Sequence, residues 1–409
     1  MDVVYRCCAG LDVHQATVVA TVRRPAADGT RESVTATFGT MTPDLLGLRE
    51  WLQASGVTHV ALESTGVYWK PVYYALEDSL TLLLINMHAV KHVPGRKTDV
   101  RDSEWLAQLL EVGLLRPSLV PPPAIRELRD LTRYRTQQVR DRAQEVNRLC
   151  KVLEDAGVKL STVATNVLGV SGRAMITALV DGRTDPDALA DLARGKLRAK
   201  IPVLRRALQG RFRAHHAVVV THILAKIDFL EETLADLTRE IDERLRPFDT
   251  AMTGLDTIPG VNRVTAMAII AETGADMTRF PSASHLCSWA TLCPGQNESA
   301  GKRHSGRTRQ GNRYLKGALI QAANAAAHSK QTALHALYVR LRARRGHKRA
   351  IVAVAHQILT IAYYIMRDGV TYQELGPMYF EQRTREHSIR RHVQRLEALG
   401  LTVTVTEAA

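Results

Sequence analysis

The run Tyr5-Arg6-Cys7-Cys8-Ala9-Gly10-Leu11-Asp12-Val13-His14-Gln15 and the two β-branched runs after it, residues 17–22 and 32–38, decide the fold class of the amino-terminal part. Residues 12–15 and the turn-rich stretch 25–29 separate them, and links this short leave an antiparallel meander as the economical arrangement of three strands. Helical periodicity then covers residues 42–54, a strand 58–62, a helix 67–77, a strand 80–85 and a helix 98–112. The order βββαβαβ plus a helix predicts an α/β domain with a mixed five-stranded sheet covered by helices, the ribonuclease H-like topology, over residues 1–120.

Pro121-Pro122-Pro123 interrupts regular structure and marks a boundary. Beyond it, residues 124–156 form a long amphipathic helix with Val139, Ala143, Val146, Cys150 and Leu153 on one stripe. Residues 218–245 repeat the pattern at Ile223, Ile227, Leu230, Leu234, Leu237 and Ile241. Sustained spacings of three and four fit either an intermolecular coiled coil or two core helices of one domain. Residues 121–250 are therefore a helical or coiled-coil region, 251–376 a compact, mainly helical domain, and 377–409 a basic tail.

The composition, 45% hydrophobic and 23% charged over 409 residues, suits folded domains and excludes disordered, collagen-like and low-complexity classes. No apolar run reaches the roughly 18 residues of a membrane span, and the start resembles no signal peptide, so the expected location is cytoplasmic. Five scattered cysteines without a C-x-x-C pair argue against a disulfide framework and a structural zinc. Charge is unevenly placed. Residues 1–120 carry 11 Lys and Arg against 13 Asp and Glu, so the net +14 of the chain lies wholly in the later part. Such a field suits a polyanion, most simply nucleic acid, although a merely soluble basic protein carries the same charge.

Asp12 ends the first predicted strand and Glu63 the fourth, so both carboxylates fall at one end of neighbouring central strands, where open α/β sheets place their sites. Asp99 and Asp102, three apart, share a helix face. Four converging carboxylates stay ionised together only around divalent cations, and hard oxygen ligands favour Mg²⁺, with Mn²⁺ as the alternative. The plainer reading makes Asp99 and Asp102 partners of a helix dipole and Asp12 a turn residue. Farther along, Leu255-Asp256-Thr257-Ile258-Pro259-Gly260-Val261-Asn262-Arg263 has the helix-hairpin-helix pattern, whose turn can receive a DNA phosphate through Gly260, Asn262 and Arg263. An ordinary αα-hairpin has the same appearance. In Leu292-Cys293-Pro294-Gly295-Gln296-Asn297-Glu298-Ser299-Ala300-Gly301-Lys302, Ser299 lies among turn residues. Lys302, Arg303, Arg307, Arg309, Arg313 and Lys316 supply positive charge for a phosphate and for a serine nucleophile. Further basic stretches at 340–349 and 383–395 suit phosphate contacts or solvated helix faces alike.

Gly10-Leu11-Asp12-Val13, Glu63-Ser64-Thr65-Gly66-Val67-Tyr68 and Lys97-Thr98-Asp99-Val100-Arg101-Asp102-Ser103 resemble the amino-terminal domain of the IS110 group of insertion-sequence transposases. These are the DEDD transposases, relatives of the Piv DNA invertase. Ile258-Pro259-Gly260-Val261, Phe280, Leu292-Cys293-Pro294, Glu298-Ser299-Ala300-Gly301 and Gly311-Asn312-Arg313-Tyr314-Leu315 resemble that group's carboxy-terminal transposase domain. The resemblance implies a first domain similar to the Holliday-junction resolvase RuvC, with Asp12, Glu63, Asp99 and Asp102 as a metal-binding quartet. It implies Ser299 as a nucleophile that holds a DNA strand as phosphoserine, and a non-coding bridge RNA that pairs with donor and target DNA. It also implies dimers that pair into a tetramer, which would make the coiled coil intermolecular. The group's usual Ser-Gly-Gly reads Ser299-Ala300-Gly301 here, which leaves Ser305 as the fallback nucleophile. A structure-selective, metal-dependent nuclease without a covalent intermediate is the alternative function, and a non-catalytic nucleic-acid-binding protein is a third.

Overall fold

The computed structural model of the chain describes residues 3–26, 30–64, 66–86, 102–295, 297–299, 301–309 and 311–405. It divides into two compact units, Met1–Val120 and Pro121–Ala409.

The first unit runs β1 (Cys8–Val13), β2 (Thr17–Pro25), β3 (Arg31–Gly39), α1 (Thr42–Ala54), β4 (His59–Glu63), α2 (Trp69–Leu76), β5 (Thr81–Ile85) and α3 (Asp102–Glu111). The sheet order is β3-β2-β1-β4-β5, antiparallel through the meander and parallel from β1 to β4 to β5. This is the mixed five-stranded sheet expected from the sequence. β1 begins three residues later than the β-branched run starts, because the Val4 and Tyr5 amides donate to the Glu111 carbonyl at the end of α3.

Side chains alternate across the strands, so each face collects its own core. On one face, Leu11, Val13, Val60 and Leu62 are buried with Leu45, Leu48 and Leu52 of α1 and Val72 and Leu76 of α2. On the other, Cys8, Ala61, Leu83 and Ile85 meet Trp105, Leu106, Leu109 and Leu110 of α3. Gly10 allows α3 to lie directly on β1: a Cβ there would sit 2.1 Å from the Ser103 carbonyl oxygen and 2.5 Å from the Ala107 nitrogen. Ser103 thus lies over Gly10, and its hydroxyl bonds Thr21 Oγ1 at 2.9 Å. The Cys8 thiol donates to the Ala107 carbonyl, and Glu111 lies beside Val4 and Tyr5. α3 therefore runs antiparallel to β1, with its amino terminus at the carboxyl end of that strand.

The second unit begins with α4 (Pro123–Asp155). α5 (Leu160–Val163), α6 (Val170–Val180), α7 (Pro186–Ala190) and α8 (Ile201–Ala207) follow, before the chain returns along α9 (Ala214–Leu245). Cross-pairs at Glu127–Arg244, Arg135–Thr238, Arg142–Glu231 and Glu145–Lys226 show that α4 and α9 are antiparallel. The short helices close a core at the far end of this hairpin with Leu149, Leu153, Ile223 and Ile227. Ile223, Ile227, Leu230 and Ile241 are buried within the chain, so the expected intermolecular coiled coil is corrected to an intramolecular hairpin. The α4 stripe also differs: Val139 is exposed, while Thr132, Gln138 and Glu145 are buried. Polar groups occupy that seam because partners on α9 and within α4 satisfy them, as Lys226 and Arg148 do for Glu145.

After the hairpin come α10 (Asp249–Asp256), α11 (Arg263–Thr273), α12 (Ala283–Trp289), β6 (Asn297–Ser299), β7 (Lys302–Ser305), α13 (Arg313–His328), α14 (Ala333–Arg345), α15 (His347–Asp368) and α16 (Tyr379–Glu397). The stretches 121–250 and 251–376 lie in one compact unit. α15 is long and apolar enough by composition to cross a membrane, with mean hydropathy 1.4 over its most apolar window, half of it buried. It reaches that length by including His356, Gln357 and Thr360, and it packs on α12, α13 and α14.

Two glycines give opposite expectations. Gly10→Ala forces α3 off β1 and should cost about 3 kcal/mol. Gly47→Ala in α1, where nothing lies within 4 Å of the added Cβ, should instead stabilise by roughly 0.5–1 kcal/mol through helix propensity. Denaturant unfolding of the two variants checks both signs.

Candidate functional site

The first cluster is acidic. Parallel pairing of β1 with β4 runs through Leu11 opposite Leu62, so the next residues, Asp12 and Glu63, stand side by side at the carboxyl ends of the two strands. Neighbouring strands lie about 4.8 Å apart, and alternation turns both residues to the face covered by α3. Asp102 is the first residue of α3, whose amino terminus stands at this same sheet end. Asp99 lies outside the described residues. His14 Nε2 lies 3.2 Å from Asp12 Oδ2. Among the described residues no three His, Cys, Asp or Glu side chains come close enough together to hold a metal ion, so the assembled core is the Asp12–Glu63 pair with Asp102 nearby.

The second cluster surrounds Ser299. The segment expected as a Gly-rich loop is a hairpin, with Ser299 opposite Lys302 at its tip, Asn297 opposite Ser305, and a Pro294–Thr308 bridge at its base. The Gly295 amide donates to the Arg307 carbonyl and extends the pairing. Gly301 turns the tip at φ +74°, a conformation glycine adopts without steric cost. Ala300, where this chain departs from Ser-Gly-Gly, lies outside the described residues. Arg307, Arg309, Arg313 and Lys316 gather at the base, lining a cavity of about 660 Å³ with Thr308 and Gly311. Lys302 remains beside Ser299 at the tip, with Arg303 next in β7.

A buried carboxylate fixes this base. Glu272, at the end of α11, is 2% exposed and accepts two 2.7 Å bonds from the Arg133 guanidinium of α4 and one of 2.6 Å from Asn312 Nδ2. Arg129, one turn earlier on α4, donates to the carbonyls of Ala271 and Glu272. Asn312 uses its Oδ1 to cap α13, accepting from the Tyr314 and Leu315 amides at 3.1 Å. The Tyr314 ring lies 4.9 Å from the Arg133 guanidinium carbon, 5.7 Å from that of Arg140 and 5.0 Å from that of Arg313. Farther into the cavity, Lys316 Nζ donates to Thr308 Oγ1 at 2.7 Å, and burial, then the charge of Arg307, holds its ammonium below the usual lysine range. Glu272, Arg129, Arg133, Arg140 and Tyr314 were not singled out from the sequence. A lone acid in the apolar run of residues 266–273 was the only signal for Glu272.

The presumed hairpin motif has structural employment. Gly260, at φ +86°, lets its turn approach α13, where a Cβ would meet the Ala322 carbonyl at 2.4 Å. Asn262 caps α11 by accepting from the Thr265 amide, and Arg263 pairs with Asp242 at 2.7 Å.

Comparison with known proteins gives a consistent pattern. A transposase family model of the IS110 DEDD type matches residues 9–157, and one described as the IS116/IS110/IS902 transposase family matches residues 252–339. An uncharacterized 43.6 kDa protein of insertion element IS110 from Streptomyces coelicolor is 29% identical over 220 residues, 49% of this chain and 54% of the relative. An uncharacterized 42 kDa protein of insertion element IS900 from Mycobacterium paratuberculosis is 28% identical, over 71% of this chain and 78% of the relative. The pilin gene-inverting protein of Moraxella bovis is 23% identical over 81% and 88% respectively.

Glu272→Ala leaves the half-buried Arg133 guanidinium and the Asn312 amide without their acceptor, while Arg129 keeps its backbone carbonyls, and loss of one partner of such a pair costs about 3 kcal/mol. Urea unfolding should show that loss, and a variant within 1 kcal/mol of the parent would contradict the role given to Glu272.

Proposed function

Because the chain belongs to the IS110 group of transposases, we propose that it is a DNA recombinase that cuts and rejoins strands through a phosphoserine link on Ser299. In this reading the first unit is an RNase H-like domain of the RuvC type, and the β3-β2-β1-β4-β5 order supports that assignment. The observation that carries the reading is register: Asp12 and Glu63 are adjacent on two parallel central strands, under the amino terminus of the helix that begins with Asp102.

Asp12, Glu63, Asp99 and Asp102 are the residues that would hold a divalent cation. The donor set fits: all are hard carboxylate oxygens, and Mg²⁺ is commonly bound by one or two carboxylates, with water and substrate phosphate completing its shell. When bound, the ion supplies Lewis-acid stabilisation of the charge on the phosphoryl oxygens. The chain's own residues do the rest. Ser299 Oγ attacks phosphorus, a new P–O bond forms, and the bond to the leaving strand oxygen breaks. The serine proton is taken up by a base and the leaving oxygen ends as a hydroxyl. Attack by a hydroxyl of a second strand reverses the exchange, so the phosphodiester linkage is conserved and no nucleotide triphosphate is consumed. Lys302, beside Ser299, faces the phosphate charge. The basic second unit grips donor and target DNA and a bridge RNA, whose pairing supplies sequence choice while the protein holds backbone and shape. The working form is a dimer that pairs into a tetramer.

The test combines the protein, Mg²⁺, RNA transcribed from the non-coding DNA flanking its reading frame, and end-labelled donor and target DNA. The expected product is a protease-sensitive shifted band on a denaturing gel, absent in Ser299→Ala and in Asp12→Ala. Free cleaved strands persisting in Ser299→Ala would instead establish a nuclease without a covalent intermediate.

A further inference from the structure

The cationic cavity at the base of the β6–β7 hairpin is well separated from the hairpin's tip. Pro294 pairs with Thr308 at the base and Ser299 with Lys302 at the tip. The two ends of the hairpin are therefore distinct places on it.

Four observations mark the cavity as a built anion site. Arg307, Arg309, Arg313 and Lys316 line it together. Elsewhere in this unit Arg133, Arg142, Arg173, Arg205 and Arg263 each meet a carboxylate. Among the described residues, Arg309 bonds only the Ser288 hydroxyl, Arg313 the Tyr314 hydroxyl, and Lys316 Thr308 and the Thr291 carbonyl, all uncharged groups. Thr291, 7% exposed, holds a buried hydroxyl without a hydrogen-bond partner among the described residues, directly beneath Gly311 of the cavity lining. The Tyr314 and Leu315 amides at the start of α13 are taken by Asn312, so the cavity's side chains are the main donors to a ligand.

We infer that this cavity grips a backbone phosphate of the bound DNA that flanks the phosphate joined to Ser299, and is not the site of the reacting phosphate. The inference rests on the serine reading for its reference point. Clustered cations repel one another, and an anionic ligand removes that cost. A grip at the base fixes the strand's path, while the tip carries the nucleophile. The roles of the basic residues then divide by position: Lys302 serves the reacting phosphate, and Arg307, Arg309, Arg313 and Lys316 serve the flanking one.

The test uses the full chain with the RNA and DNA described above, after the joined nucleotide has been mapped. Each phosphate within eight nucleotides of it is replaced in turn by a neutral methylphosphonate, and binding is measured. One substitution at a phosphate other than the joined one should weaken the parent about tenfold, the loss of one charged hydrogen bond. The same substitution should change binding less than about twofold in Lys316→Met and in Arg309→Ala, which have already lost the grip. Arg309, on the exposed edge, keeps the test available if Lys316→Met fails to fold. Variants blind only to replacement of the joined phosphate itself would overturn the inference, because the cavity would then be the reacting site. If the parent forms no adduct, the serine reading fails separately, and salt dependence decides the cavity. Loss of one phosphate contact lowers the slope of log affinity against log salt by about 0.9, and an unchanged slope in both variants removes the grip.

Discussion

The second unit depends on one buried carboxylate. Glu272 is almost wholly removed from water, and an isolated charge there would be prohibitively expensive. Arg133 and Asn312 make it tolerable, and Arg129 completes the junction by satisfying carbonyls at the end of α11. Each partner belongs to a different element: the long helix α4, the carboxyl end of α11, and the residue that caps α13. A pair of this kind adds less to stability than to uniqueness, because its geometry is satisfied in one arrangement only. Here that arrangement sets where α13 begins. Arg313 and Lys316, within the first turn and a little beyond, inherit their positions at the hairpin base from it.

The first unit depends on close approach at its sheet end. A missing side chain at Gly10 brings α3 onto β1, and the Ser103–Thr21 hydrogen bond fixes the level at which it rests. The level matters because Asp102 immediately precedes Ser103. Sheet register sets Asp12 beside Glu63, and helix placement sets Asp102 against the same end. Both follow from packing of apolar and small residues away from the carboxylates themselves. A similar economy appears at the opposite end, where Glu111 of α3 takes the guanidinium groups of Arg23 and Arg31 from the meander.

Much of this was legible in the sequence where the signal is local. β-Branched runs separated by turn residues gave the meander, and 3.6-residue periodicity gave α1 and the two long helices, because those patterns depend on neighbours along the chain. The strand ends at Asp12 and Glu63 followed from the same patterns. What could not be read depends on distant partners. Periodicity on residues 223–241 specifies an apolar stripe and not whose stripe it meets, so a second copy and α4 were equally compatible with it. The hairpin around Ser299 looked like a loop because Pro294, Gly295 and Gly301 dominate its composition, while its pairing depends on Lys302–Ser305. Glu272 was invisible as a site because nothing near it in sequence supplies Arg133. Gly260, Asn262 and Arg263 show a second limit: the same residues also serve turn packing, capping and an ion pair, which the pattern alone does not reveal.

The central claim is that a DNA strand becomes bonded to one serine at the hairpin tip. The most direct measurement is mass spectrometry of the adduct after nuclease and trypsin digestion, since cleavage at Arg279, Lys302, Arg303 and Arg307 places Ser299 and Ser305 on different peptides. The expected result is a residual nucleotide on the peptide of residues 280–302, with fragmentation assigning it to Ser299. A nucleotide on the peptide of residues 304–307, or on neither, would contradict it.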